Sequence, residues 1–229
     1  MSSPPPTQPA GVLSTARVET LTDGVFAIVM TLLILEIHVP EIAKGLVDAE
    51  LPAKLAELGP KLFSYALSFV ILGVLWVGHH NQFYFIKRAD RSLLWINILF
   101  LMFVAFIPFS AALLGEYGRN QLSVVIYGAN LIVAGLILYL HWWYGMKTHH
   151  LTDAHIEPTL MRTISRRILT PPAIYLLAIA LSFVSTTLSI ILYIFVPLSY
   201  ILPGRMDRVW VRRHEHPAQE ADNEETAGA

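Results

Sequence analysis

The chain contains no cysteine, so disulfides, thiolate metal sites and cysteine nucleophiles are excluded. Charge is scarce as well. Only 14% of the 229 residues are Asp, Glu, Lys or Arg, where a soluble domain carries roughly a quarter. The net charge of −1 gives no general attraction to nucleic acid, and no nucleic-acid partner is expected. The opening MSSPPPTQPAGVLSTA also lacks the basic-then-apolar order of a secretory signal. What the chain has in surplus is hydrophobic side chains, 55% of the total. That combination describes an integral membrane protein embedded in the lipid bilayer.

A helix needs about 20 apolar residues to cross the hydrocarbon core. Four candidate spans are clear, at roughly 18–37, 62–86, 92–114 and 122–146. After a polar stretch, 147–167, the run 168–204 is too long for one crossing and short for two. Ser185-Thr186-Thr187 offers a tight turn between two short helices. The predicted fold is therefore an all-α membrane bundle of six helices. Residues 17–204 form the transmembrane domain, and 1–16 and 205–229 read as disordered tails from their Pro, Ser, Thr and acidic content.

Lys and Arg near span ends collect on the cytoplasmic side. With the N-terminus inside, twelve basic residues fall inside and four, Lys44, Lys54, Lys61 and Arg119, fall outside. A five-span chain would place the C-terminal arginines outside, so the bias favours six. The expectation is a multi-pass protein of the plasma membrane with both termini cytoplasmic.

The first span, RVETLTDGVFAIVMTLLILEI, carries Arg17, Glu19 and Asp23 in its first turns and Thr31 in its middle. At about 100° per residue, Ile28, Leu32, Leu35, Thr31 and Gly24 fall on one stripe, with Asp23 and Glu19 on another face. Spacing alone is also what ordinary core or lipid-facing packing produces, and Thr31 is open to bonding its own backbone. Asp23 near the helix start complements the helix dipole, and Thr20 or Thr22 is a candidate cap. It equally fits a buried cluster. His79 near the end of the second span and Asn97 one turn into the third fall at similar depth, and such polar groups satisfy one another in an apolar surround. Trp76 and Trp95 read as an interfacial belt or as donors to that cluster.

Arg17-Val-Glu-Thr-Leu21-Thr22-Asp23 resembles the first-helix signature of the transmembrane protein 175 family, Arg, three residues, then Phe-Ser-Asp. Leu21 and Thr22 depart from it. Trp76-Val-Gly-His79-His80, Leu93-Leu-Trp-Ile-Asn97 and Ile107-Pro-Phe-Ser110 resemble the family's second and third helices. The resemblance covers most of 17–114. It implies a cation channel with a modest preference for potassium over sodium, built as a homotetramer with the first helix of each copy lining the pore. By position from Asp23, it assigns the apolar constriction to Ile28, Leu32 and Leu35 and ion preference to Thr31. Arg17, Thr22, Asp23, His79 and Asn97 then make up the polar network that anchors this helix. No cofactor is implied beyond the permeant potassium and other monovalent cations, and no enzyme activity is expected.

No TVGYG filter is present. VIYG, Val125–Gly128, lacks the needed order and lies inside a span. Selectivity would instead arise where four first helices converge, through dewetting at the apolar rings and Thr31 hydroxyls. Two other classes remain open at this stage. His79-His80, His141, His149-His150 and His155 allow a membrane-embedded metal enzyme, although no HExxH or paired i, i+4 histidine occurs. A secondary transporter is the other, with Pro108 and Pro197 as helix breakers, though no half-to-half repeat is evident.

Overall fold

A computed structural model describes residues 13–148, 151–152 and 157–201. In chain order the elements are β1 (Leu13–Ser14), α1 (Ala16–Leu35), α2 (Val47–Glu57), α3 (Gly59–Phe83), β2 (Arg88–Ala89), α4 (Arg91–Ala105), α5 (Ile107–Tyr117), α6 (Gln121–Lys147), α7 (Pro158–Ser182) and α8 (Thr186–Ile201). Among the described residues, five segments are long and apolar enough to cross a bilayer: α1, α3, the stacked α4–α5, α6 and α7. The sixth apolar helix, α8, has 16 residues and packs beside α7.

Local chemistry sets most boundaries. The Asp90 carboxylate accepts from the Leu93 amide at 2.8 Å and caps α4, and Asn120 caps α6 through the Leu122 amide at 2.9 Å. Pro60 and Pro158 occupy the first turns of α3 and α7, where a missing N–H costs nothing. Pro108 has no N–H for the Val104 carbonyl, and the third span divides there into α4 and α5. Within α7, Pro171 leaves the Arg167 carbonyl without its helical donor, and the Tyr200 hydroxyl of α8 donates to that carbonyl. A defect in one helix thus becomes a fastening point for the next.

Lipid tails are as apolar as leucine, so close packing rather than water exclusion holds such helices together. The main core gathers Phe26, Val29 and Leu33 of α1 with Leu72, Phe100, Val104, Tyr127 and Tyr193. Tyr193 donates to the Val124 carbonyl at 2.9 Å, and its ring lies edge-on to Tyr127. A Cβ at Gly128 would overlap the Tyr193 hydroxyl and stand 2.9 Å from Ile179 Cγ1. Gly128→Ala is therefore expected to destabilise the docking of α8 by about 1–3 kcal/mol, read as a lower melting midpoint in detergent. An unchanged midpoint would mean that Tyr193 yields without loss.

Three boundaries differ from the sequence reading. The described fold begins at Leu13, because Leu13 and Ser14 pair antiparallel with Ala89 and Arg88; the proposed tail 1–16 is structured at its end. The rest of that tail and the tail 205–229 lie outside the described residues. The helix α7 starts at Pro158, inside the polar stretch 147–167, because a basic amphipathic turn can extend a span beyond the hydrocarbon. The reversal between α7 and α8 covers Phe183–Ser185 rather than Ser185–Thr187. The link between α1 and α3 holds α2, all of whose residues are at least partly exposed.

Candidate functional site

The helix α1 packs on α3, α4 and α5 through Val18, Thr22, Phe26, Val29 and Leu33. The opposite face is uncovered. Ile28, Leu32 and Leu35 are 60%, 42% and 65% exposed, and Thr31 is exposed between them. At Gly24 a Cβ would meet nothing within 4 Å. The stripe assigned from spacing is thus one exposed surface. The Thr31 hydroxyl donates to the Ile28 carbonyl at 2.7 Å, a bond three residues back rather than four. With its proton so used, the oxygen presents lone pairs away from the helix.

Behind this face, polar groups fasten α1 to its neighbours. Asn97 of α4 donates through Nδ2 to Thr22 Oγ1 at 3.2 Å and pairs through Oδ1 with His79 Nε2 of α3 at 2.8 Å. All three side chains are buried. An amide oxygen can only accept, so His79 carries its proton on Nε2. The imidazole also stacks on Phe100, centroids 5.5 Å apart and planes 2° from parallel. One asparagine therefore joins three helices, and every buried polar atom of that junction finds a partner where an unpaired one costs several kcal/mol.

Asp23 takes a different place from the one expected. It is exposed, and its Oδ1 accepts from Trp76 Nε1 at 2.8 Å instead of joining His79. The indole is the only donor of its side chain and reaches the carboxylate one turn nearer the helix centre than His79 does. Trp76 stacks on His80 at 5.6 Å, so it serves as a donor to α1 rather than only as an interfacial anchor. Arg17 is exposed and makes no hydrogen bond or ion pair among the described residues. It stands apart from the network. Trp95 is exposed at 60%, in keeping with a membrane-facing ring.

Sequence reasoning missed the layer below. Gln82 donates to the Leu138 carbonyl at 3.0 Å and accepts from His141 Nδ1 at 2.7 Å, tying α3 to α6. Tyr144 donates to Asp90 Oδ2 at 2.7 Å, so the carboxylate that caps α4 also holds α6. Among the described residues no three His, Asp or Glu side chains converge as for a metal; His149, His150 and His155 lie outside them. The opposite end of the bundle is paired differently, by Lys61 with Glu116 at 2.6 Å and Lys54 with Glu57 at 3.0 Å.

Taken together, these features define a multi-span α-helical membrane protein in which one helix is pinned by polar bonds on its inner side and left bare on the other. Comparison with known proteins specifies the class. The family model described as endosomal/lysosomal potassium channel TMEM175 matches residues 17–108. A protein named as a potassium channel in Streptomyces collinus is 36% identical over 178 residues, 76% of this chain and 85% of its own. The human endosomal/lysosomal proton channel TMEM175 is 35% identical over 139 residues, 57% of this chain but 28% of that one. The crystal structure of a lysosomal potassium-selective channel TMEM175 homologue from Chamaesiphon minutus superposes with a TM-score of 0.72 at 32% identity. It covers 82% of this chain and 96% of that one. The chain belongs to the TMEM175 family of ion channels, which is not a family of enzymes.

Proposed function

We propose that this chain is a potassium-permeable cation channel with a modest preference for potassium over sodium, formed by four copies whose α1 helices converge on a central pore. The observation that carries the reading is the bare stripe of Ile28, Thr31, Leu32 and Leu35 on a helix whose other side is bonded to α3 and α4. A helix so fixed holds a constriction at constant width. Gly24 at the inner end of the stripe adds no bulk, which lets the copies approach closely. The names of the bacterial relatives support potassium as the permeant ion.

In this reading, rings of Ile28, Leu32 and Leu35 close the path by dewetting. The ring of Thr31 oxygens, their protons held by the Ile28 carbonyls, offers lone pairs that replace part of an ion's hydration. Potassium gives up water at lower cost than sodium, which yields a modest and not a strict preference. The basic residues Lys87, Arg91, Lys147, Arg162 and Arg166 gather at the end of the bundle where α1 begins. By the positive-inside bias that end faces the cytoplasm of a plasma membrane, with both termini there.

The test is ion flux in proteoliposomes under separate potassium and sodium gradients, with Thr31→Val alongside. The expected result is potassium flux above sodium flux, and a ratio moved toward one in the variant, which keeps the shape of the side chain and loses the oxygen. Protein-loaded vesicles that leak no faster than empty ones would refute the channel reading.

A further inference from the structure

The inner end of the bundle carries a surface that ion conduction does not use. The helices α6 and α7 are antiparallel, and two contacts fix their facing sides. Trp142 Nε1 donates to Ser165 Oγ at 3.2 Å, and a Cβ at Gly135 would stand 2.7 Å from Pro172. In an antiparallel pair, equal steps along each chain from the facing residue turn both helices toward the same flank. Trp143 and Lys147 lie about 100° and 140° past Trp142, and Arg166 and Arg162 about 100° and 60° past Ser165. All four therefore share one flank, and their levels fall within about two helical turns. Each is exposed.

Among the described residues, no carboxylate neutralises the charge on this flank. Lys147 rests over the Trp143 ring at 4.7 Å, and among the described residues none of Lys147, Arg162 and Arg166 has an ion pair. The outer lysines Lys54 and Lys61 have carboxylate partners. On the same flank, about two turns from Trp143 and about three from Arg166 toward the membrane centre, stand Leu136 and Leu177, 46% and 54% exposed. The link from α3 to α4 lies elsewhere, since Tyr144, a further step around α6, reaches Asp90.

We propose that this flank of α6 and α7 is a binding site for an anionic phospholipid. Its phosphate sits among Lys147, Arg162 and Arg166, its glycerol region lies against Trp143, and its acyl chains run along Leu136 and Leu177. Cations and an aromatic ring at the end of the bundle, with aliphatic side chains beyond them toward the membrane centre, match a lipid from headgroup to tail. A free phosphate ion would have no use for the aliphatic strip, so a membrane lipid is the occupant the surface fits.

The experiment is native mass spectrometry of the full chain in neutral detergent, titrated with phosphatidylglycerol, phosphatidylcholine or inorganic phosphate. Wild-type protein retains phosphatidylglycerol in preference to phosphatidylcholine. Replacing Arg162 and Arg166 by Gln lowers phosphatidylglycerol binding by about tenfold or more. The pair Lys87→Gln with Arg91→Gln removes equal charge from the same end and leaves binding within about twofold. Arg162→Lys with Arg166→Lys retains the preference, which separates lost charge from a lost fold, and all variants keep their melting midpoint in detergent alone. Equal losses in both Gln pairs, no loss at 162 and 166, or displacement of the lipid by millimolar phosphate would overturn the proposal.

Discussion

Ile28→Asn is expected to raise basal potassium flux by about tenfold or more. A dewetted constriction closes because its wall offers water no hydrogen bonds. In the proposed tetramer, four carboxamides at the first ring supply donors and acceptors, and the barrier to a continuous water column falls. Ile28 is 60% exposed and touches none of the polar junction behind it, so the effect on folding stays within about 0.5 kcal/mol. Large gain in flux with little change in melting midpoint is the signature of a residue that faces the permeation path. Equal flux in the variant and the wild type would remove Ile28 from that path.

Asn97→Leu is expected to have the largest effect on stability, about 2–3 kcal/mol. The substitution keeps the volume but strips Thr22 of a donor and His79 of its acceptor in one step. Both are buried, and within the bilayer no bulk water restores what is lost. The helix α1 is the element released, so the variant should also conduct with altered ion preference as the constriction loses its fixed width. By contrast, Asp23→Asn keeps an oxygen for the Trp76 indole and should cost about 1 kcal/mol or less. A melting midpoint in detergent that falls as far for Asp23→Asn as for Asn97→Leu would contradict this ranking.

Much of the architecture was legible because the bilayer imposes length and hydropathy on every span. The stripe on α1 was also legible, since a regular helix turns sequence spacing directly into angle, and the structure leaves that stripe bare. The partner of Asp23 was not. Depth along the membrane can be read from span order, but His79 and Trp76 differ in depth by one turn only, and their azimuth depends on how α3 rotates against α1. Asn97 illustrates the part that could be inferred: a lone amide one turn inside an apolar span must find partners, and His79 was placed at its level, while Thr22 joined the network only through the family resemblance. The early start of α7 escaped notice because hydropathy marks where a helix enters lipid, while Pro158 marks where the helix begins. The Gln82–His141 bond carries no local signal at all, since its two residues lie 59 apart in sequence.

The absence of cysteine makes the central claim open to a direct measurement. Single substitutions Ile28→Cys, Leu32→Cys and Leu35→Cys, with Leu176→Cys of α7 as an exposed control, would be reconstituted and treated with a charged, membrane-impermeant thiosulfonate. If α1 lines the pore, modification at Leu35, the stripe residue nearest the outer mouth, changes potassium flux several-fold, and potassium in excess slows the reaction. Modification of Leu176→Cys leaves flux unchanged. Flux insensitive to reagent at all three stripe positions, with labelling confirmed by mass, would contradict the account.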